Sequence, residues 1–590
     1  MQGFLTTIAR ALNDDPSLTS MAAPGLPPQV VCYERADDIG FGVSGVVTRA
    51  RAIRESFPEV DLNEIPMAAP VAAEKLVYLL DPVGASRRSW PLRGGDRLLR
   101  LLGPLLRLRH DAVEVPWTPG FLQKHDGFVF SMGQLSQWVA TQLMALGNVQ
   151  IWPASPVAEP LLDGDRVTGL RLMDQGTDKE GRPAAGFTPG MDVRATLTVV
   201  GDGPVGAVSQ SLDRAFGLPE GNSRHEWALG MKMVINLPED VDLKPGTVLH
   251  TLGYPEAEIF GFLYIHPGRV ASVGIFVPSW FDNPVRTTWR YLQHYIQHPY
   301  LWRYLQGGKL RSWGAKSIEE SGQRGEPFLA VNGCARIGEC SGTTNILTGS
   351  GVDEAWCSGV LLAEGVVELW KAGQPFSREN LQSAYVQRRR AGWLDRELRA
   401  ATHARDGFER GFLRGLTSMA VAGLTSGRFR WPVRSSAARR ARRTLEDFCH
   451  GRLKPSQVSA LREDCRLRGA PLHDAVMQCC GWPAIPYDGQ LLVSLQDALL
   501  LGGKVQAPPG FRDHVRFREA EVCHSCEARI CVEMCSGQAI APDGDGLPVF
   551  DREKCIHCGA CLWNCPEIDE EGQANLVFSA GAGGLHSAEN

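Results

Sequence analysis

The N-terminal pattern of apolar and polar positions predicts a helix, a loop and then a strand. Apolar side chains recur at helical spacing at Phe4, Leu5, Ile8, Ala11 and Leu12. Prolines between residues 24 and 28 indicate the loop, and the apolar run of residues 29–33 that follows ends at Glu34. This order of elements is typical of an α/β unit.

A dinucleotide-binding fold places such a helix and strand after a first strand and a glycine-rich turn. The acidic residue that closes the second strand, here Glu34, accepts hydrogen bonds from ribose hydroxyls. The amides of that turn normally bind a pyrophosphate. Here only Met1, Gln2 and Gly3 are left to form the turn. We expect Gly3 to be the last glycine of that turn and Met1 to be an internal start. The chain as given is then expected to bind a dinucleotide weakly.

A second glycine-rich turn follows the apolar strand pattern of residues 195–200. Gly201, Gly203 and Gly206 have Gly-x-Gly-x-x-Gly spacing, and a helix pattern comes next. No strand ending in an acidic residue follows about 20 residues later, as a nicotinamide site would require. The motif alone therefore does not favour an independent nicotinamide site.

Length and charge limit the possible classes of protein. The 590 residues are too many for one hydrophobic core, so two or three domains are expected. The net charge of −5 does not favour nucleic acid as a partner. No apolar run approaches the roughly 18 residues of a spanning helix, and no signal-peptide pattern is visible. We expect a chain that is soluble or lies on a membrane surface.

Eight of the 16 cysteines lie in one C-terminal window, in two runs of four. These runs are Cys523-x2-Cys526-x4-Cys531-x3-Cys535 and Cys555-x2-Cys558-x2-Cys561-x3-Cys565. The second run has the ferredoxin spacing, in which three close cysteines bind one 4Fe–4S cube and the fourth reaches the other cube. One predicted cube is therefore bound by Cys535, Cys555, Cys558 and Cys561. The other is bound by Cys523, Cys526, Cys531 and Cys565.

Alternatives to two cubes remain open. Zinc also takes paired Cys-x2-Cys ligands, but it needs only four, and the repeated quartet followed by Pro566 favours cubes. Disulfides are disfavoured because thiols stay free in reducing compartments. The longer gap before Cys531 and the Ser536 that follows Cys535 depart from a plain ferredoxin. A single cube is therefore the alternative to two.

Taken together, the chain resembles the electron transfer flavoprotein–ubiquinone oxidoreductase family. The resemblance runs through nearly the whole sequence. Segments similar to the family's flavin-binding stretches are residues 34–45, 201–203 and 338–364. Other similar segments are Gly133-Gln-Leu-Ser-Gln-Trp138, Ala145-Leu-Gly147, Tyr487-Asp-Gly-Gln490 and Asn575-Leu-Val577.

The resemblance implies FAD and 4Fe–4S clusters as cofactors. It implies FAD contacts from Gly3, Glu34, Arg35, Ser44, Gly45, Asp202, Gly203, Gly338, Glu339, Asn345 and Gly351. It also implies a quinone pocket beside an aromatic strand, with contacts from Gly261, Tyr264 and His266. No catalytic acid or base is expected, because the redox chemistry belongs to the cofactors.

Two features depart from the family pattern. Position 339 is Glu where many flavoproteins of this fold have Asp, so an extra methylene must be accommodated beside the ribityl chain. The family normally carries one cube. The ligands of the second cube, which are Cys523, Cys526, Cys531 and Cys565, therefore rest on spacing alone.

The expected fold class is α/β and α+β, in three parts. Residues 1–375 are expected to form a FAD-binding Rossmann-type core with an interleaved quinone domain, and residues 486–590 a ferredoxin-like domain. A helical connector, residues 376–485, joins them. It contains the apolar residues 412–424 and, after them, Arg428, Arg430, Arg434, Arg439, Arg440, Arg442 and Arg443. This combination suits insertion into one membrane leaflet beside anionic headgroups; the alternative is a core helix with a solvated loop.

The resemblance implies an oxidoreductase of electron transport. Its partners are then electron transfer flavoprotein, ubiquinone or menaquinone, and a membrane surface. The expected location is peripheral, on the cytoplasmic face of a bacterial inner membrane, or cytoplasmic. Two other functions remain open. One is a geranylgeranyl reductase-type flavoprotein, which the ferredoxin-like region argues against, and the other is a flavin-free iron–sulfur carrier, suggested by the missing first strand.

Overall fold

The structure is a computed structural model. It describes residues 1–40, 45–103, 108–281, 288–429, 445–449, 452–501, 510–526, 529–569 and 573–581. The helices are α1 (Gln2–Asp14), α2 (Arg51–Ser56), α3 (Trp90–Leu101), α4 (Met132–Leu146), α5 (Ala207–Phe216), α6 (Thr288–Ile296), α7 (Pro299–Leu305), α8 (Val352–Lys371), α9 (Arg378–Leu381), α10 (Arg388–Ala391), α11 (Trp393–Ala401), α12 (Phe412–Leu424), α13 (Leu445–Cys449), α14 (Pro455–Arg468), α15 (Leu472–Cys479), α16 (Leu495–Leu500), α17 (Ala520–Ser525), α18 (Ile530–Glu533) and α19 (Ala560–Asn564).

The strands form one large sheet and several small ones. They are β1 (Val30–Tyr33), β2 (Val46–Thr48), β3 (Ala69–Pro70), β4 (Ala73–Leu79), β5 (Ala112–Glu114), β6 (Phe128–Phe130), β7 (Val149–Trp152), β8 (Val157–Asp163), β9 (Arg166–Leu172), β10 (Gln175–Thr177), β11 (Pro183–Thr188), β12 (Asp192–Arg194), β13 (Thr198–Val200), β14 (Trp227–Asn236), β15 (Thr247–Leu252), β16 (Phe260–His266), β17 (Val270–Pro278), β18 (Lys309–Glu319), β19 (Ala330–Val331), β20 (Cys334–Arg336), β21 (Val515–Phe517), β22 (Ile540–Pro542), β23 (Pro548–Phe550) and β24 (Leu576–Phe578).

A seven-stranded sheet in the order β18-β14-β17-β16-β15-β4-β5 forms the middle of the molecule. Neighbouring strands are antiparallel except for β15 and β4, which are parallel. One face packs against α6 and α7, and the other meets β2 and β6. Because both faces are covered, β14, β16 and β17 are apolar almost throughout, as sheets buried on two sides require.

Besides the large sheet, the chain forms a two-stranded parallel sheet, a three-stranded mixed sheet and a closely packed helix pair. β1 pairs with β7, and β13 pairs with β20. Within the described residues, β1 pairs with β7 alone, and all four of its residues are half-buried. Gly3 allows helix α1 to pack closely on α8. A Cβ at this position would lie only 2.5 Å from the carbonyl oxygen of Trp356. The helix and strand predicted around residues 4–12 and 29–33 are both present.

The C-terminal region packs directly on the large sheet. It contains the antiparallel strand pair β21–β24, the hairpin β22–β23 and the short helices α17, α18 and α19. The Trp563 side chain stacks on Trp227 with ring centroids 6.0 Å apart, and its Nε1 donates to Ser317 Oγ at 2.8 Å. One apolar core therefore runs from the sheet into the cysteine-rich region.

Candidate electron-transfer site

One cysteine quartet lies against the large sheet, and we call it the inner quartet. Its members are Cys535, Cys555, Cys558 and Cys561. The Cys561 sulfur interacts electrostatically with those of Cys558, Cys555 and Cys535. The Ser317 amide of β18 donates to the carbonyl oxygen of Cys558 at 2.8 Å, which fixes this loop to the sheet.

The remaining four cysteines form the outer quartet. Its members are Cys523, Cys526, Cys531 and Cys565. The Cys531 sulfur interacts with those of Cys565, Cys526 and Cys523, so residues distant in sequence meet here. Cys531 also interacts with Cys561 of the inner quartet, which makes the two quartets neighbours. The structure thus brings the eight cysteines together in the two groups that ferredoxin spacing predicts.

N–H groups point at several of these sulfur atoms. The amides of Ala539 and His557 donate to Cys535 Sγ and Cys555 Sγ, at 3.2 and 3.3 Å. Asn575 Nδ2 donates to Cys523 Sγ of the outer quartet at 3.2 Å. Hydrogen bonds of this kind stabilise thiolate charge and tune the potential of a cluster.

The surroundings of the cysteines fit iron–sulfur clusters. Burial raises the pKa of the Cys558 thiol to about 11, so a bound metal is needed to hold the deprotonated ligand at neutral pH. Among the described residues, no three His, Cys, Asp or Glu side chains are arranged around a single metal ion. A cube is larger than one ion and takes its four thiolates farther apart.

Two cationic side chains lie near both the inner quartet and the group of residues predicted to contact FAD, which we call the cleft. Lys316 on β18 interacts with Cys558 on one side and with Glu34 and Glu339 on the other. Burial lowers the pKa of Lys316 to about 8, and the nearby Arg35 charge adds to this shift. Arg35 likewise interacts with Glu34 and with Cys555. The same two charged side chains therefore interact with both the quartet and the predicted flavin contacts.

The cleft contains buried polar atoms without protein partners. Within the described residues, neither ring nitrogen of His557 has a hydrogen-bond partner, although the residue is only 3% exposed. His557 stacks on His514, whose Nε2 lies 3.3 Å from Cys555 Sγ. Asn345 Nδ2 is also buried and unpaired in the described structure. Unsatisfied buried groups are rare in proteins, so these atoms are suited to bind a polar ligand.

Several residues predicted to contact FAD line this cleft. Gly203 and Gly338 have φ angles of 79° and 71° and open space where a Cβ would lie, so the backbone is accessible there. Gly351 is the N-cap of α8, whose amides favour negative charge. Burial raises the pKa of Glu339 to about 7, and its Oε1 accepts from the Glu319 amide at 3.3 Å. These features fit a flavin dinucleotide.

Other predicted FAD contacts have additional structural partners. The Asp202 carboxylate accepts from both the amide and the hydroxyl of Ser209, at the start of α5. Gly3 lies in the first turn of α1, against α8. The Gly45 carbonyl accepts from Lys232 Nζ at 2.7 Å. Ser44 lies outside the described residues.

The three predicted quinone contacts lie on two different faces of the large sheet. Tyr264 and His266 point towards β2 and β6, whereas a Cβ on Gly261 would meet Tyr295 of α6 on the opposite face. His266 is fully buried, with Nδ1 bonded to the Met67 carbonyl at 3.1 Å and Nε2 to Ser272 Oγ at 2.9 Å. A quinone contact by His266 would therefore replace one of these bonds.

An apolar cluster lies where the large sheet meets α11 and α12. Phe408 stacks on Trp280 with centroids 4.8 Å apart and lies 5.8 Å from Phe260. Helix α12 turns one face into this cluster through Phe412 and Met419. The apolar segment predicted at residues 412–424 is therefore a helix with one face in the core.

The outer surface beside this cluster carries exposed apolar side chains. On α12, Leu424 is 77% exposed, and on α3 Trp90 and Leu101 are 83% and 78% exposed. Large apolar side chains rarely gather in this way on a water-facing surface.

Arg428 follows α12 and is exposed, whereas the other six arginines of the predicted basic segment lie outside the described residues. In the described chain, no helix combines the length and the apolar character needed to cross a membrane.

Sequence reasoning missed the residues that connect the two parts of the site. Lys316 gave little signal, because β18 also contains Lys309, Arg311 and Glu319. His514 and His557 lie next to cysteine ligands, but isolated histidines are more often structural, so sequence alone gave them no role. The membrane surface predicted from the sequence included residues 412–424 and the arginines after them, but not Trp90 or the rest of α3.

Family models match two parts of the chain. A model described as "ETF-QO, ubiquinone-binding" matches residues 227–318, which include β14 to β17 and most of β18. A model described as "4Fe-4S binding domain" matches residues 547–571, which include Cys555, Cys558, Cys561 and Cys565.

Named relatives cover much of the chain. The electron transfer flavoprotein-ubiquinone oxidoreductase of Pseudomonas aeruginosa is 29% identical over 385 residues, which are 64% of this chain and 64% of that protein. The mitochondrial protein of that name from Oryza sativa is 25% identical over 558 residues, 90% of this chain and 83% of the relative. The human mitochondrial protein is 25% identical over 582 residues, with 94% and 83% covered. The chain is similar to electron transfer flavoprotein–ubiquinone oxidoreductases over most of its length.

Proposed function

We propose that this chain is an oxidoreductase that passes electrons from a reduced electron transfer flavoprotein, through iron–sulfur clusters and FAD, to a membrane quinone. One observation carries the proposal. Lys316 and Arg35 each interact with the inner quartet on one side and with Glu34 of the cleft on the other. A cluster and a flavin in these two places would be near neighbours, as electron transfer between them requires.

Each part of the chain has a role in this proposal. Residues 1–375 supply the FAD cleft and the sheet matched by the ubiquinone-binding model. Residues 376–485 supply the surface at α12, and residues 486–590 supply the cluster ligands. When bound, the clusters carry single electrons, and FAD exchanges electrons singly or in pairs, which suits a quinone that takes two.

The protein's own residues position and tune these groups. The amides of Ala539 and His557 stabilise negative charge on the inner thiolates, and Lys316 adds a positive charge nearby. The N-terminus of α8 and the open backbone at Gly203 and Gly338 favour binding of the phosphates and the flavin. Packing of the C-terminal region on the sheet keeps water away from the path between them.

The quinone must come from the lipid phase, and the surface around α3 and α12 is the proposed entrance. The exposed side chains of Trp90, Leu101 and Leu424 would enter one leaflet, and the apolar cluster at Phe408 leads inward from there. We propose that the chain lies peripherally on a membrane, on the cytoplasmic face of a bacterial inner membrane. Contacts from Tyr264 and His266 to the quinone stay a prediction.

A membrane-binding assay tests this entrance. Replacing Leu101 and Leu424 by Asp should reduce pelleting of the protein with anionic vesicles several-fold, because each change places a charge where apolar side chains enter the bilayer. The matched control replaces Leu162 and Leu467 by Asp. Both side chains are exposed, and they lie on β8 and α14. Equal pelleting of both variants and the unchanged protein would show that α3 and α12 do not contact lipid.

The function itself is tested by cofactor analysis and electron transfer. The purified chain should show flavin and cluster absorbance and should reduce a soluble ubiquinone analogue when it is supplied with reduced electron transfer flavoprotein. Cluster absorbance without flavin would instead favour the iron–sulfur carrier. Flavin-dependent reduction of a lipid-like alkene without quinone reduction would favour the reductase alternative.

A further inference from the structure

Four arginines form a positive patch on the surface next to the outer quartet. They are Arg214 on α5 and Arg512, Arg516 and Arg518 on and beside β21. Gln210 Nε2 donates to the Phe578 carbonyl oxygen of β24 at 3.0 Å, which fixes α5 beside the β21–β24 strand pair. Arg214 and Arg518 are exposed, and the other two are half-buried.

The charges of this patch are not neutralised by the protein. Within the described residues, none of the four makes an ion pair, and Arg512 Nε and Arg516 Nε have no hydrogen-bond partner. Burial lowers the pKa of Arg516, and the charges of Arg512 and Arg518 lower it further. The carboxylate beside Arg214, that of Asp213, is already paired with Arg336 and Arg224, at 2.6 and 3.0 Å.

The patch is directly linked to the outer quartet. The Arg518 amide donates to the Asn575 carbonyl oxygen at 2.9 Å, and Asn575 Nδ2 donates to Cys523 Sγ at 3.2 Å. Cys523 lies on α17, a helix without a buried residue, so this side of the quartet faces the surface. A protein seated on the arginines would be held next to the outer cluster.

We propose that Arg214, Arg512, Arg516 and Arg518 form the docking surface for the acidic face of a protein electron donor, which delivers single electrons to the outer cluster. This inference rests on the proposed function and adds the place and the chemistry of docking. A donor with a negative surface is favoured because like charges without ion-pair partners among the described residues attract an oppositely charged protein and speed its encounter. From the outer cluster, the electron then passes to the inner one, since Cys531 and Cys561 are neighbours.

Stopped-flow reduction of the holoprotein tests this proposal. The double variant Arg516→Glu with Arg518→Glu is compared with the unchanged protein and with Arg194→Glu plus Lys309→Glu. The control makes the same charge change at exposed positions on β12 and β18. With reduced electron transfer flavoprotein at low salt, the second-order rate should fall about tenfold in the first variant alone. The difference should shrink as salt screens the charges.

The possible outcomes separate this inference from the proposed function. Dithionite should reduce the clusters of all three proteins equally, which shows that the first variant keeps its cofactors. If the flavoprotein reduces the unchanged protein and the patch variant at the same rate, the docking surface is wrong and the proposed function stands. If the patch variant keeps its rate but loses binding to anionic vesicles, the arginines contact lipid instead. Failure of the flavoprotein to reduce the unchanged protein overturns both.

Discussion

The inner and outer quartets have the same ligands but different surroundings. The inner quartet is bonded to β18 through Ser317 and lies beside two cationic side chains of the flavin cleft. The outer quartet includes Cys523 on α17, which has no buried residue, and lies next to surface arginines. The cluster family model begins at residue 547, after the first three outer ligands. Similar ligand chemistry is thus placed once against the large sheet and once beside α17 and the surface arginines.

This difference indicates an order of electron transfer. A cluster near the surface can be approached by another protein, whereas one packed against the sheet can exchange electrons only with groups inside the molecule. The outer quartet is then the entry point and the inner quartet the step before the flavin. The order predicts that the loss of one quartet has different consequences from the loss of the other.

Loss of the inner cluster should have the largest effect. Replacing Cys558 by Ala removes one of four required thiolates, so the inner cube should be lost and quinone reduction with the flavoprotein donor should stop. Bound flavin should remain, because Cys558 is not part of the cleft. Iron analysis and the assay with a quinone analogue measure both effects, and quinone reduction at the unchanged rate would contradict the order.

Loss of the outer cluster should slow entry but leave the inner steps intact. Replacing Cys526 by Ala should lower the rate with the protein donor at least tenfold and reduce the iron content by about four per chain. Quinone reduction driven by a small artificial reductant should persist, because the inner cube and the flavin are retained. Iron near four per chain in the unchanged protein, instead of about eight, would show that the outer quartet binds no cube.

The sequence predicted which cysteines form each quartet better than it predicted the residues around each quartet. Each run of cysteines is local, so its spacing carries the information needed to group Cys523, Cys526 and Cys531 with Cys565. The contact of Lys316 with Cys558 joins segments about 240 residues apart, and that of His514 with Cys555 joins positions 41 residues apart, so no local pattern reveals either. Gly261 and Tyr264 lie three positions apart in one strand, so side-chain alternation already puts them on opposite faces, and the structure adds which elements cover each face.

The flavin region shows the same limit. The helix α1 and the strand β1 follow from apolar spacing, and both are present. The sequence offered Asp202 as a flavin contact, but it gave no sign that Ser209 supplies two hydrogen bonds to its carboxylate. Such bonds depend on where a helix begins in three dimensions. The FAD contacts of individual residues therefore stay predictions.

A smaller effect is expected from single charges beside each quartet. Lys316 lies near Cys558 of the inner quartet, and Arg529 lies near Cys523 of the outer one. Replacing Lys316 by Met removes a positive charge that favours the reduced, more negative cluster, so the inner midpoint potential should fall while the outer one changes little. At an effective dielectric constant of about 20, the loss is on the order of 1 kcal/mol, or roughly 40 mV for one electron.

The matched variant Arg529→Met should give the reverse result, with a lower potential for the outer cluster alone. A redox titration followed by electron paramagnetic resonance at pH 7 distinguishes the two, because each cluster gives its own signal as it takes up an electron. Lys316 is charged at this pH, since burial lowers its pKa only to about 8. Equal shifts of both clusters in either variant would mean that the quartets share one electrostatic environment, and the proposed order from outer to inner would then lose its electrostatic basis.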